Sequence, residues 1–312
     1  MVWGCARTQT ILKAVFEKYK GCVPQKKGKG RYGYSYQSIV NAFVLMLLRG
    51  IRSEEGLSEY LNEHIDEAKL CGFTSNIPHR TTFGRFRNKL GPKFIENVHC
   101  TMLSMQEIDL IHMLADSTSL EKKGDRDAKV GYSSTKGLYR GFKAYIASDA
   151  DMRIPLPLTV TQANRHDGLF LPHLMGKIHG MGYRPTFAIT DAGYDSEENH
   201  KVLNKYDVLP VIPLNKRNLR SGKNEKFWSL RLNPEIERGS KLYRALQSKR
   251  FAAEEVNSAL KQLVNSQWLY VNGLRNVSFY IYLAALVIAA FYFASSNCSE
   301  ISSPWKVCCL RY

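Results

Sequence analysis

The spacing of apolar and polar positions predicts that the first third of the chain is helical. Residues 36–51 form a long apolar run that ends at Gly50. Residues 53–73 begin at Ser53 and place Leu57, Leu61 and Ile65 at helical intervals. Each segment is therefore predicted to be one helix.

A third helical segment follows a proline turn and is basic. It has an N-cap candidate at Thr81 and carries Arg85, Arg87 and Lys89. Two helices joined by a short turn, with the second one basic, are typical of a helix-turn-helix, in which these basic side chains would bind DNA. A helical hairpin with a solvated basic face has the same pattern. The basic, Gly-rich segment 25–36 is compatible with a phosphate-contacting loop or with a linker.

From about Asp109 the pattern changes to one of strands. The predicted elements are three strands at 110–120, 141–149 and 154–163, a helix at 169–182, a strand at 185–191, a helix at 195–206 and a strand at 209–214. This order predicts an α/β fold with a mixed sheet flanked by helices. The basic region 215–248 is predicted to be a surface loop near the binding partner.

The net charge indicates the class of binding partner, and the cysteines indicate the cellular compartment. The chain has 44 Lys and Arg against 28 Asp and Glu, which gives a net charge of +16. Such an excess favours a polyanion, most often nucleic acid, although a solubilising surface charge is an alternative. The 7 cysteines are scattered without a CxxC pair, which argues against a zinc module or a disulfide framework. We therefore expect reduced thiols and a cytoplasmic, nucleoid-associated protein.

The most apolar segment, residues 279–294, resembles a membrane span in composition. It is shorter than the roughly 20 residues that cross a bilayer, and it lacks a flanking Lys/Arg cluster. We predict a buried helix and no membrane partner.

Two aspartates follow apolar strand segments: Asp116 in LADST and Asp191 in ITDAGYD. Both are predicted at strand ends, with unpaired carboxylates. If the two strands are neighbours, the carboxylates lie together at the sheet edge where ligands gather. Paired acids repel each other, and Mg²⁺ relieves this repulsion because it prefers carboxylate and phosphate oxygens. Either aspartate alone could simply start a turn.

A third acid stands on a predicted amphipathic helix at 249–265. Its polar face contains Arg250, Glu254, Asn257 and Lys261, while Glu255 falls at the edge of the apolar face. The apolar face is predicted to bury Ala252, Val256, Leu260 and Leu263. A solvated face with an Arg–Glu pair at i,i+4 is the alternative interpretation.

Taken together, these motifs resemble the DDE transposases of prokaryotic insertion sequences. The resemblance is carried by the order Asp116, Asp191, Glu254, by DAGYDS at the second acid and by Arg-x3-Glu-x6-Lys at the third. It is closest to the group marked by a Tyr-x2-Arg-x3-Glu-x6-Lys signature. Segments 34–61 and 77–91 and the Asn-x-His-Asp run at 164–167 are similar to that group as well. The chain departs from the signature at Gln247, which occupies the Tyr position.

The resemblance implies a division into a helical, DNA-binding domain at 1–108, an RNase H-like catalytic domain at 109–297 and a tail at 298–312. It implies cleavage and strand transfer of double-stranded DNA at transposon ends, by a homodimer or larger assembly. Two Mg²⁺ ions, or Mn²⁺ as a substitute, would be held by Asp116, Asp191 and Glu254.

Further site residues are expected around these acids. Asp167 is expected to cap the helix that follows it, with a direct catalytic role as the alternative. The residues expected to contact DNA are Arg250, Asn257, Lys261 and Tyr194, the last of which could instead pack into the core. Two rival interpretations are a metal-dependent nuclease or resolvase of the same fold, and a decayed transposase that only binds DNA.

Overall fold

The structure is a computed structural model that describes residues 2–25, 33–74, 76–133, 137–215, 229–264, 271–296, 298, 299 and 301, with side chains from residue 8 onward. The chain forms two compact units. One comprises Met1–Gln106, Gly124–Asp127 and Ala259–Tyr312, and the other Glu107–Lys123 and Ala128–Ser258. The predicted division places all of 109–297 in one catalytic domain, whereas residues from 259 onward group with the N-terminal helices.

Helices occur in both units of the chain. In chain order, those of the described residues are α1 (Val2–Tyr19), α2 (Tyr36–Leu48), α3 (Glu54–Glu63), α4 (Ile65–Cys71), α5 (Arg80–Ser104), α6 (Leu171–Gly180), α7 (Glu197–Lys205), α8 (Lys241–Ser248), α9 (Phe251–Leu263) and α10 (Leu274–Ser295). Short 3-10 turns occupy Asp167–Leu169 and Ala192–Tyr194.

Three details of the N-terminal helices differ from the prediction. Residues 53–73 form two helices, because His64 leaves the helical conformation (φ −114°, ψ 68°). The cap of α5 is His79, whose side chain accepts a hydrogen bond from the backbone N–H of Thr81, so Thr81 itself is not the cap. The basic segment is the first half of a longer helix, which Gly91 (φ 69°) and Pro92 kink in the middle. Of the basic segment 25–36, residues 26–32 lie outside the described part.

The apolar helix α10 packs against α1, α2 and α5 within its own unit. In the described part of the chain it is the one helix long and apolar enough to cross a membrane. Of its most apolar stretch, 94% is buried inside the protein. This burial supports the predicted core helix.

The second unit is built on a mixed six-stranded sheet. Its strands are β1 (His112–Glu121), β2 (Lys129–Ser133), β3 (Gly137–Asp149), β4 (Pro155–Gln162), β5 (Phe187–Thr190) and β6 (Leu209–Val211). Strand β1 pairs antiparallel with β3 and parallel with β5, and β5 pairs parallel with β6. Strands β2 and β4 pair with successive parts of the other edge of β3. We did not predict β2, because its Val130 and Tyr132 are exposed and produce no buried apolar face.

The basic region 215–248 is not a surface loop throughout. Residues 216–228 lie outside the described part, but Lys241–Ser248 is a helix with Leu246 in the core. Arg231 is buried, and its charge is paired there: its guanidinium Nε donates to Asp195 Oδ2 at 2.8 Å. One of the basic residues of this region therefore belongs to an ion pair in the interior of the protein.

Candidate active site

Asp116 and Asp191 lie side by side on neighbouring parallel strands. Ala115 pairs in register with Thr190, and the next residue on each chain segment is the aspartate. Asp191 follows the last residue of β5, as predicted. Asp116 lies in the middle of β1, not at its end, because β1 continues to Glu121 as the antiparallel partner of β3.

The surroundings of both carboxyl groups disfavour their charged forms. Burial, with the nearby charge of Asp191, raises the pKa of Asp116 to about 6. Burial also raises the pKa of Asp191, although its Oδ1 accepts a hydrogen bond of 2.9 Å from the backbone N–H of Gly193. Asp191 is therefore not wholly unpaired, in contrast to the prediction. Two half-buried acids of this kind favour a nearby cation.

Helix α9 covers the face of the sheet to which Asp116 belongs. Leu114, two residues earlier on β1 and thus on the same face, packs with Ala252 and Ala253 at the start of α9. One turn further, Asn257 Nδ2 donates to Asp116 Oδ2 at 2.8 Å. Asn257 is only 8% exposed. It was predicted to contact DNA, but in the structure its side chain binds the carboxylate of Asp116.

The other polar residues of α9 remain more accessible. The Glu254 side chain is 59% exposed and lies 3.7 Å from the guanidinium of Arg250. The positive charge of Arg250 lowers the pKa of both Asp116 and Asp191 and so partly opposes the effect of burial. Arg250 therefore lies near both acids. Lys261 follows on the same helix and is partly exposed.

The two faces of α9 are as predicted. Glu255 lies off the polar face and pairs with Arg153 at 3.0 Å. The predicted buried residues Ala252, Val256, Leu260 and Leu263 are all buried. Within the described ranges, no three His, Cys, Asp or Glu side chains form a group that could hold a metal ion. The structure thus brings Asp116 and Asp191 together but does not add Glu254 to them.

Gln247, which stands at the signature Tyr position, contacts the backbone of the sheet. Its Nε2 donates to the carbonyl oxygen of Val211 at 2.7 Å and to that of Thr190 at 3.5 Å. Gln247 therefore links α8 to the ends of β5 and β6, one residue before Asp191.

Two of the predicted DNA contacts are corrected by their surroundings. Tyr194 is fully buried and therefore belongs to the core. Arg87 Nε donates to Glu54 Oε1 at 2.6 Å, and the Tyr280 hydroxyl donates to the same oxygen. Arg85 and Lys89 are exposed on the same segment, so they stay available for DNA.

Sequence reasoning missed an ion pair near the two acids, between Lys143 and Asp167. Asp167 does not cap the following turn, since His166 Nδ1 accepts the N–H of Gly168 at 3.2 Å. Instead, Asp167 accepts hydrogen bonds from Lys143 Nζ at 2.7 Å and from Ser117 Oγ at 3.1 Å. The sequence contained a signal for this contact: Lys143 stands inside the apolar stretch GFKAYIASD, and a lysine in a buried strand needs an acidic partner.

Comparison with known proteins gives independent information on the fold. Over 98% of its length the chain is similar to piggyBac transposase in a cryo-EM structure of its synaptic complex with hairpin DNA, with 10% identity, 78% of that chain covered and a TM-score of 0.51. It also matches a Drosophila P element transposase in a strand transfer complex over 86% of this chain and 67% of that one, with 13% identity and a TM-score of 0.33. No curated protein sequence matches significantly.

Family models match both parts of the chain. A transposase domain model covers residues 8–89, and a transposase DDE domain model covers residues 108–289. The second match contains Asp116, Asp191 and Glu254 and extends over more than half of the chain. The protein therefore belongs to the transposase DDE domain family.

Proposed function

We propose that this transposase cleaves double-stranded DNA at the ends of an insertion sequence and transfers the cut strands to a target. The observation that carries the proposal is the pairing of β1 with β5. It places Asp116, on β1, next to Asp191, which directly follows β5. Glu254 would complete the set of acids from α9. The sheet order, with β3 antiparallel and β5 and β6 parallel to β1, supports an RNase H-like catalytic unit.

The residues present suit divalent metal ions. Family membership implies such a dependence, and a ligand set of carboxylates fits Mg²⁺, with Mn²⁺ as a substitute. Burial, together with the nearby charge of Asp191, raises the pKa of Asp116, and a bound cation would offset both effects. When bound, two such ions supply activation of the attacking water or 3′-hydroxyl and stabilisation of the leaving 3′-oxygen.

The chain's own side chains would orient the acids and the DNA. The Asn257 amide would hold Asp116 in place, and Gln247 would fix the ends of β5 and β6 next to Asp191. Arg250, near both acids, would bind the phosphate at the scissile bond, and Lys261 a neighbouring phosphate. In-line displacement at phosphorus requires no covalent intermediate with the protein.

Double-stranded DNA is the proposed partner, both as transposon end and as target. The net charge of +16 supports a polyanionic partner. The similar piggyBac structure is a synaptic complex with hairpin DNA, in keeping with DNA as the partner. Action as a homodimer or larger assembly is part of this proposal.

A strand-transfer assay tests the proposed function. Duplexes taken from the DNA flanking the gene would be incubated with the purified protein, Mg²⁺ and a supercoiled plasmid. We expect products in which one duplex strand is covalently joined to the plasmid. Cleaved duplex without joined products would instead favour a nuclease or resolvase.

The basic segment of α5 should divide into DNA-binding and structural residues. Arg85→Ala with Lys89→Ala should weaken DNA binding and reduce the salt slope of log affinity by about 0.9 for each phosphate that is no longer neutralised. Arg87→Ala should instead lower the free energy of unfolding by about 1–3 kcal/mol, because Glu54 loses a largely buried partner. Salt titrations of DNA binding and urea unfolding measure the two effects. Unchanged affinity and slope in the double variant would reject α5 as a DNA-binding helix.

A further inference from the structure

A buried lysine stands on the side of β1 opposite to the contact between Asn257 and Asp116. Ser117 follows Asp116 on β1, so the two side chains point to opposite faces of the sheet. Lys143, on β3, is 9% exposed. It pairs across the strands with Ser119, and so shares the face of Ser117. A charged lysine is rarely buried unless it is paired.

The partner of this lysine is Asp167, which follows β4. Its Oδ1 accepts from Lys143 Nζ at 2.7 Å and its Oδ2 accepts from Ser117 Oγ at 3.1 Å. Both carboxylate oxygens are thereby engaged. Asp167 joins β3 and β4 to the residue next to Asp116, which restrains β1 at the candidate site.

The charges of this pair also reach the candidate metal ligands. Asp167 accepts a hydrogen bond from Ser117, the residue next to Asp116, so its negative charge lies close to the candidate metal site. The ammonium of Lys143 carries the opposite charge and donates to the same carboxylate. Without Lys143, a third uncompensated carboxylate would act on the site.

We propose that Lys143 and Asp167 form a largely buried positioning pair, in which Asp167 holds Ser117 beside Asp116 and Lys143 limits the negative charge that Asp167 adds to the metal site. The inference rests on the proposed metal-dependent function. It assigns no contact with DNA or metal to either residue, and it makes opposite predictions for the two halves of the pair.

The test is a titration of the full-length protein with Mn²⁺ at constant ionic strength, followed by thermal unfolding. Lys143→Met leaves Asp167 uncompensated and should lower the Mn²⁺ concentration for half-maximal stabilisation by roughly three- to tenfold, the order of effect of one charge several ångströms away. Asp167→Asn leaves Lys143 uncompensated and should raise that concentration by a similar factor. The double variant should return close to wild type, and Lys143→Arg, which keeps the charge, should stay there.

The outcomes separate this proposal from the proposed function. Shifts in the same direction for both single variants, or a double variant that is not restored, would mean that the pair is merely structural and would overturn the inference. If Lys143→Met does not fold, Asp167→Asn and Lys143→Arg still decide the sign of the charge effect. An Mn²⁺ response that persists in Asp116→Asn, or is absent in wild type, would overturn the metal site and this inference with it.

Discussion

Glu254→Gln should reduce cleavage of transposon-end DNA by several orders of magnitude while DNA affinity is retained. Glu254 lies on the exposed face of α9, one turn from Arg250 and on the same side as Asn257, which reaches Asp116. A neutral amide replaces the carboxylate with a much weaker ligand for a hard cation. Single-turnover cleavage at saturating protein, with affinity measured separately, isolates the chemical effect.

The adjacent residue offers a matched control for this variant. Glu255 pairs with Arg153 at a partly exposed position and does not share the polar face of α9. Glu255→Gln should therefore keep most of the activity. If Glu255→Gln lost cleavage while Glu254→Gln kept it, the assignment of Glu254 and the roles of Arg250 and Lys261 would be wrong.

Arg231→Met should lower the free energy of unfolding by about 3–5 kcal/mol, the usual cost of leaving a buried charge without its partner. Asp195 is buried, and it accepts from Arg231 Nε at 2.8 Å and from the backbone N–H of Asn215 at 2.7 Å. Asp195, in the motif that contains Asp191, thus binds both Asn215 and Arg231, which belong to different segments of the chain. Urea unfolding of the purified variant measures the loss.

A surface pair and a pH series provide controls for this prediction. Arg153→Met breaks the pair with Glu255, whose side chains are about 40% exposed, and should cost less than about 1 kcal/mol. Burial tends to raise the pKa of Asp195, but hydrogen bonds from His200, the Asn215 N–H and Arg231 outweigh it and lower that pKa. The stability from this group is thus present at neutral pH and lost as pH falls below about 4. Equal losses for Arg231→Met and Arg153→Met would contradict the buried pair.

Local periodicity was enough to predict the parts of the site that depend on one element at a time. The apolar residues before Asp191 identified a strand and its end, and the spacing around Glu254 identified the polar face of α9. That the strands of Asp116 and Asp191 are neighbours was only a condition of the prediction, and the structure supplies it. The strand before Asp191 and the polar face of α9 required only the side-chain direction within one element.

Contacts that join distant elements were not predictable in this way. The bond from Asn257 to Asp116 depends on how α9 packs on the sheet, so Asn257 was assigned to DNA from its face alone. Arg231 looked like a surface charge, because its partner Asp195 is remote in sequence. Lys143 was overlooked inside an apolar strand for the same reason.

The most direct test of the account is the metal dependence of end cleavage in wild type and in Asp116→Asn and Asp191→Asn, with folding and DNA affinity verified for each protein. We expect cleavage by wild type with Mg²⁺ or Mn²⁺, little with Ca²⁺, none in EDTA and none by either variant. Undiminished cleavage in EDTA, or cleavage by both variants at the wild-type rate, would contradict a metal-dependent reaction at Asp116 and Asp191.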